Sequence, residues 1–386
     1  MQNKTVYIIY GVVFSSLIGY AFIKNSAKKE REAQAKTVAI KKPHEQKTAK
    51  LPDMDIAKKY GLTKLRKLKY DTTWNMAWDD KNIYVVTKYK KSSFVEVYDK
   101  KSLKPIQYNK IPHSSIHDTI SPIGVNDEHL YIGTNGVTKL LDKNSLVFNT
   151  KGYINALSDN QNRVDGIRVY KNHIITYGEQ NYIRVFQDEK RKYFINQERN
   201  YPPNIRKIKD YWDYNRVNDV IVHKDKLYSA NYRGFINIYD FKTGKFLKQI
   251  NTIKFEKEWG YVLAKNIQDI AVYQERYIYF AQDFRGVIIL DTQTDKITTI
   301  KTLFEKHRGI AKDTEIFQML FYKDNLIFSE IFYREKCVYV YSLSQKKIIH
   351  TFKGHNGDIT EMFVDGDRLV GLSDNGYLFE WDLGIF

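Results

Sequence analysis

One pattern recurs along most of this chain: three short apolar runs separated by tight turns, then a further extended run. It is cleanest at Val217–Ile250 (VNDVIVHKDKLYSANYRGFINIYDFKTGKFLKQI), and Ile267–Ile300 follows it almost position for position. Runs this short, bounded by turn residues, read as strands, and their turns join them into antiparallel meanders. A lone meander cannot bury both of its faces, so it needs copies of itself to stack against.

The copies are present. Less regular versions begin at Trp74, His117, Val164 and Ile316, and Ile359–Asp382 is the last. Second strands centre on Ile83, Leu130, Ile174, Leu227, Ile278, Leu326 and Leu369, between 43 and 53 residues apart. Third strands end in Tyr98-Asp99, Leu141-Asp142, Phe186-Gln187, Tyr239-Asp240, Leu290-Asp291, Tyr341-Ser342 and Trp381-Asp382. Seven four-stranded units predict an all-β, seven-bladed β-propeller. With 15% aromatic residues, among them 30 Tyr and 21 Phe, the composition suits strands.

The last unit opens on Gly354-His355, closes on Trp381-Asp382, and carries the turn dipeptides Asp365-Gly366 and Asn375-Gly376. It resembles a WD40 repeat. The resemblance implies a structural hydrogen-bond network inside the blade at His355, Ser373 and Trp381, with Asp382 closing the motif. The family's turn Asp falls here on the uncharged Asn375. The Gly-His/Trp-Asp pair is intact only in this unit.

The chain runs only four residues past Asp382, so the last blade needs a fourth strand from elsewhere. Lys64–Tyr70 (KLRKLKY) lies just before the first blade and is expected to supply it, which closes the ring and removes a sheet edge.

Ahead of the ring, Thr5–Ile23 holds 19 residues without a charge, the length of a bilayer span. The expected organisation is a single transmembrane helix within 1–23, a charged tether over 24–58 and the propeller over 59–386. The side of the membrane is contested. Residues 24–50 carry nine Lys/Arg against three Glu, which by the positive-inside rule keeps this flank cytoplasmic. One N-terminal span before a large domain is more often an export arrangement, and an extracytoplasmic (periplasmic) ring is the reading taken. A single cysteine, Cys337, excludes an internal disulfide.

Three successive connections between predicted blades are long: 196–216, 251–266 and 301–315. They bring Tyr211, Trp212, Tyr214, Trp259, Tyr261 and Arg308, residue types from which protein-binding hot spots are built. A protein partner is expected there, with the membrane as a second partner through the N-terminal helix. Inner strands should place Asn75, Pro122, Gly166, Asp219, Asp269, Gln318 and Glu361 around the channel, a polar and partly acidic collar.

Catalysis finds little support: P-loop, GxGxxG, HExxH, GxSxG and CxxC patterns are all missing. His113 and His117 share metal-like spacing only if helical, and they sit beside Pro112 in a predicted loop. No cofactor or metal is expected. Of the net charge of +17, residues 24–50 supply +6 (nine minus three) and Lys4 one, leaving +10 spread over the rest. That dilution argues against nucleic acid. The expectation is a membrane-anchored scaffold or accessory factor for a membrane or periplasmic assembly of respiratory or secretory kind. The alternative is an enzyme or ligand binder at the channel mouth.

Overall fold

Each repeat becomes one four-stranded antiparallel sheet, with strand order following chain order in six of the seven. The computed structural model describes residues 51–386 apart from 71–74, 90–91, 112–121, 134–137, 155–163, 179–181, 198–215, 232–233, 253–266, 283–285, 301–314 and 332–335. Blades 1 to 7 occupy 76–111, 123–154, 164–196, 217–251, 267–300, 315–352 and 359–382. The apolar stretch 5–23 and the tether up to 50 lie outside the described residues. Among the described residues no helix is long and apolar enough to cross a membrane.

Apolar side chains of neighbouring blades meet in separate clusters, one at every junction around the ring. Ile175, Tyr177 and Val185 of blade 3 pack on Val217, Val220 and Leu227 of blade 4. Blade 7 packs through Phe363, Val370 and Leu378 on Met76, Ile83 and Tyr98 of blade 1. Burial of each such side chain contributes roughly 1.5–3 kcal/mol, and both faces of each sheet take part. This is why the strands read as near-continuous apolar runs, for example the fully buried inner core of Tyr377–Asp382.

Ring closure comes from Leu62–Lys67, which pairs antiparallel with Tyr377–Asp382, Leu62 opposite Trp381 and Lys67 opposite Tyr377. The strand lies two to three residues earlier than 64–70. Beyond Leu68 the chain crosses to blade 1, where the backbone N–H groups of Lys69 and Tyr70 donate to the Glu96 carboxylate at 2.9 and 3.1 Å. Glu380, only 3% exposed, pins the seam. It accepts from Thr63 Oγ1 (2.8 Å), Lys64 Nζ (3.0 Å) and Arg368 (2.7 Å). A short helix, Met54–Lys59, capped by Asp53, precedes this strand and sits under Gly354, whose carbonyl accepts from Asp53 N at 2.7 Å. The compact unit therefore starts at Leu51, eight residues before the boundary drawn from sequence.

The recurring aromatic-Asp ending has a local cause. Asp99, Asp142 and Asp240 each accept the backbone N–H three residues on, at 2.7, 2.7 and 2.8 Å, and so fix the turn into the outer strand. These bonds hold all three carboxyls below their ordinary range, the side-chain or backbone bond from the turn Ser or Thr being the largest cause. Outer strands then latch onto the next blade's turn. Arg66 donates to the Leu103 carbonyl (3.1 Å), Gln107 to Asn144 (3.1 Å), Asn109 to Leu146 (3.0 Å) and Tyr193 to Phe241 (2.6 Å).

Glu380→Ala takes one acceptor from Thr63, Lys64 and Arg368, all in partial contact with water, and leaves them their alternatives at the Glu380 and Lys101 carbonyls and Asp365. We expect a loss of about 2–3 kcal/mol in urea unfolding, with a single transition retained.

Candidate functional site

Inner strands run along the axis of the ring and enclose a channel cavity of about 410 Å³. All seven collar positions, Asn75, Pro122, Gly166, Asp219, Asp269, Gln318 and Glu361, line it. The collar is uneven. Around blades 1 and 2 the lining is Asn75, Trp78, Pro122, Gly124 and aliphatic side chains; blade 3 adds Asp165, Arg168 and Tyr177, and blades 4 to 7 add carboxylates and amides. The inner faces of blades 2 and 3 are close: a Cβ on Gly124 would stand 2.7 Å from Ile167.

Asp219 is the hub of the polar half. Its Oδ1 accepts from Arg168 Nε at 3.0 Å and from the Tyr177 hydroxyl at 2.9 Å, both in blade 3. Its Oδ2 accepts the backbone N–H of Ile270 in blade 5 at 3.1 Å. One carboxylate thus joins three consecutive blades. Asp269 repeats the forward bond, accepting Met319 N of blade 6 at 2.6 Å, and its Oδ1 lies 3.8 Å from Arg168. Gln318 carries the sequence on, donating to Glu361 Oε1 (2.6 Å) and to the Met362 carbonyl (3.2 Å) in blade 7. On the blade 3 side Arg216 pairs with Asp165 at 3.0 Å.

Burial dominates the proton affinities here. It raises Asp269 well above the carboxylate range, and the neighbouring Asp219 adds to it. Glu361 is pushed up to about 7, first by burial, against an opposing contribution from Arg168. Chemically the ring holds a buried ion pair, two proton-retaining acids and a row of inter-blade bonds. Among the described residues no three His, Cys, Asp or Glu converge as a metal centre.

Arg168, Tyr177, Arg216 and Asp165 escaped the sequence reading. Taking one position per blade gave Gly166, which has no side chain, while Arg168 two residues on points to the same side of the strand. Gly166 itself is a packing requirement: a Cβ there would stand 2.0 Å from the Tyr177 ring that reaches Asp219.

The six aromatic and arginine positions on the long connections, Tyr211, Trp212, Tyr214, Trp259, Tyr261 and Arg308, lie outside the described residues, as do His113 and His117. In the last blade His355 is 1% exposed and sits edge-on to Trp381, ring centroids 5.7 Å apart. Burial, helped by Lys336, lowers its pKa to about 3, so it is neutral. Ser373 donates to the Asn375 side chain, and Asn375 donates to the His355 carbonyl at 3.1 Å. The polar contacts therefore run from Ser373 through Asn375 to backbone, while His355 and Trp381 meet through ring edges. Asp382 caps the final turn, accepting from Gly384 N at 2.7 Å.

No family model matches the chain, and no curated protein matches it. Among solved structures it is similar to the crystal structure of the computationally designed Ika8 protein. The TM-score is 0.54 at 10% identity, over 82% of this chain and 98% of that one. At that identity the likeness is one of fold.

Two outcomes follow. Gly166→Ala drives the new methyl into Tyr177, and we expect it to destabilise by about 1–3 kcal/mol in urea unfolding, as overpacking does. The raised acids set a pH dependence. The folded ring holds these protons where the unfolded chain has released them, so their stabilisation is full below the ordinary Glu value of 4.5 and is lost as pH rises through about 7. Thermal midpoints should fall from pH 5 to pH 8, and Glu361→Gln should flatten that fall.

Proposed function

We propose that this chain is a WD40-like propeller serving as a protein-interaction platform. On this reading 5–23 holds it in a membrane with the ring on the extracytoplasmic side, where it assists a membrane-bound assembly. Respiratory and secretory complexes are the classes to test first. The observation that carries the reading is the blade order. Blades 3, 4, 5 and 6 are ring neighbours, so the strands bounding the three long connections stand side by side. The sequences between those strands hold Tyr211, Trp212, Tyr214, Trp259, Tyr261 and Arg308. Aromatic and Arg residues are the types of which contact surfaces are made, and a ring stitched through its inner strands offers a rigid base for one.

A catalytic reading of the channel has less support. Its most central carboxylate, Asp219, is occupied by Arg168, Tyr177 and a backbone amide.

The test is affinity purification from membranes with the full-length chain. Trp212→Ala and Trp259→Ala should each weaken partner capture roughly thirtyfold, the equivalent of about 2 kcal/mol for a hot-spot residue, with unchanged thermal midpoint. Deleting 5–23 should release the protein into the soluble fraction. Retained capture in the double variant overturns the platform, and membrane attachment without 5–23 overturns the anchor.

A further inference from the structure

Four carboxylates and two guanidinium groups line the channel, so acids outnumber bases. Two pairs form tightly: Arg216 with Asp165 at 3.0 Å, and Arg168 with Asp219 at 2.9 Å. Asp269 Oδ1 is left at 3.8 Å from Arg168, the outer limit of an ion pair, and the Glu361 carboxyl receives only the Gln318 amide hydrogen among the described residues. Beside them is an acceptor of another kind. Gln318 is 9% exposed, and its Oε1 is buried with no hydrogen-bond donor, because its nitrogen is already turned toward Glu361 and the Met362 carbonyl.

Asp269, Gln318 and Glu361 stand on the inner strands of consecutive blades 5, 6 and 7. All three line one cavity: Asp269 holds the Met319 amide at 2.6 Å and Glu361 the Gln318 amide, each with acceptor capacity to spare, while Gln318 Oε1 has no donor. Anions are excluded there, since any anion would meet two acids. A compact divalent metal is disfavoured because no three acidic or imidazole groups converge among the described residues. An ammonium group has three donors and one charge, which matches two acids that share part of Arg168 and one amide oxygen. The same cavity is lined by the rings of Trp78 and Phe317, which can cover the carbon chain behind such a group. Its volume of about 410 Å³ falls in the range of small-molecule sites.

We propose that the central channel binds a small organic cation through a primary ammonium group, held by Asp269, Glu361 and Gln318 Oε1. The site is independent of the platform on the long connections, since it uses none of their residues. Without the cation, the two acids keep protons in its place: burial, with the negative charge of Asp219, holds their affinities high against the opposing charge of Arg168. Binding therefore displaces protons and strengthens as pH rises.

The probe is 1,4-diaminobutane, titrated calorimetrically into the full-length protein in a nonionic detergent. Potassium chloride at matched ionic strength and the uncharged isostere 1,4-butanediol serve as controls. We expect one saturable site with a Kd below about 1 mM, tightening between pH 6 and pH 8. Glu361→Gln and Asp269→Asn should each weaken it at least tenfold, whereas Asp99→Asn, at a turn outside the channel, should not. Gln318→Lys places the chain's own ammonium in the site and should abolish binding while raising the thermal midpoint. This variant keeps the test open even where an acid substitution fails to fold. The proposal is overturned by any of three results: no saturable binding, equal binding of butanediol, or affinity unchanged in folded Glu361→Gln and Gln318→Lys proteins.

Discussion

The pairing of Leu62–Lys67 with Tyr377–Asp382 is the contact on which the rest of the molecule depends. A twisted four-stranded sheet buried on both faces needs a neighbour on each side. In a row of seven, the first and last would each expose an apolar face. Bending the row into a ring solves this only if the ends meet, and the last blade lacks a strand of its own to meet with. Borrowing that strand from the start of the chain joins the two ends by hydrogen bonds, and Glu380 with Thr63, Lys64 and Arg368 fixes the register.

Within the closed ring, polar side chains do two separate jobs. On the outside, donors such as Arg66, Asn109 and Tyr193 reach carbonyls in the next blade's turn. On the inside, Asp219, Asp269 and Gln318 each reach the backbone of the following inner strand, at Ile270, Met319 and Met362. These inner bonds run through blades 4 to 7, with Arg168 and Tyr177 of blade 3 joining at Asp219, whereas the lining of blades 1 and 2 is mostly Pro122, Gly124 and aliphatic groups. The asymmetry concentrates charge on one side of the channel. A ring fastened at both radii is stiff, and its channel is a polar compartment within it.

Much of this was legible in the sequence because turns carry strong local chemistry. Asp-Gly and Asn-Gly pairs, and the Asp that ends most third strands, mark repeats whose side chains otherwise drift. The count of seven and the need for a borrowed strand follow from those marks. The lining groups Asp165, Arg168, Tyr177 and Arg216 were missed, but one channel-facing position per inner strand was legible, since period-two alternation fixes which way a strand residue points. Their partners were not. Arg168 pairs with Asp219 across 51 residues, and Tyr177 reaches the same carboxylate only because Gly166 has no side chain to block it. Such couplings depend on blade-to-blade register, which no local pattern encodes. The early start of the closing strand at Leu62 has the same origin, a register shift between Leu62 and Lys64 opposite Trp381 and Glu380.

The claim that closure makes the ring a single cooperative unit is tested most directly by native-state hydrogen exchange. Amides of Leu62–Lys67 should open with the same free energy as those of Tyr377–Asp382 and of the inner strands Val217–His223 and Ile267–Tyr273, near the global value. Exchange of Leu62–Lys67 and Tyr377–Asp382 through a much cheaper local opening, with the inner strands still protected, would contradict it.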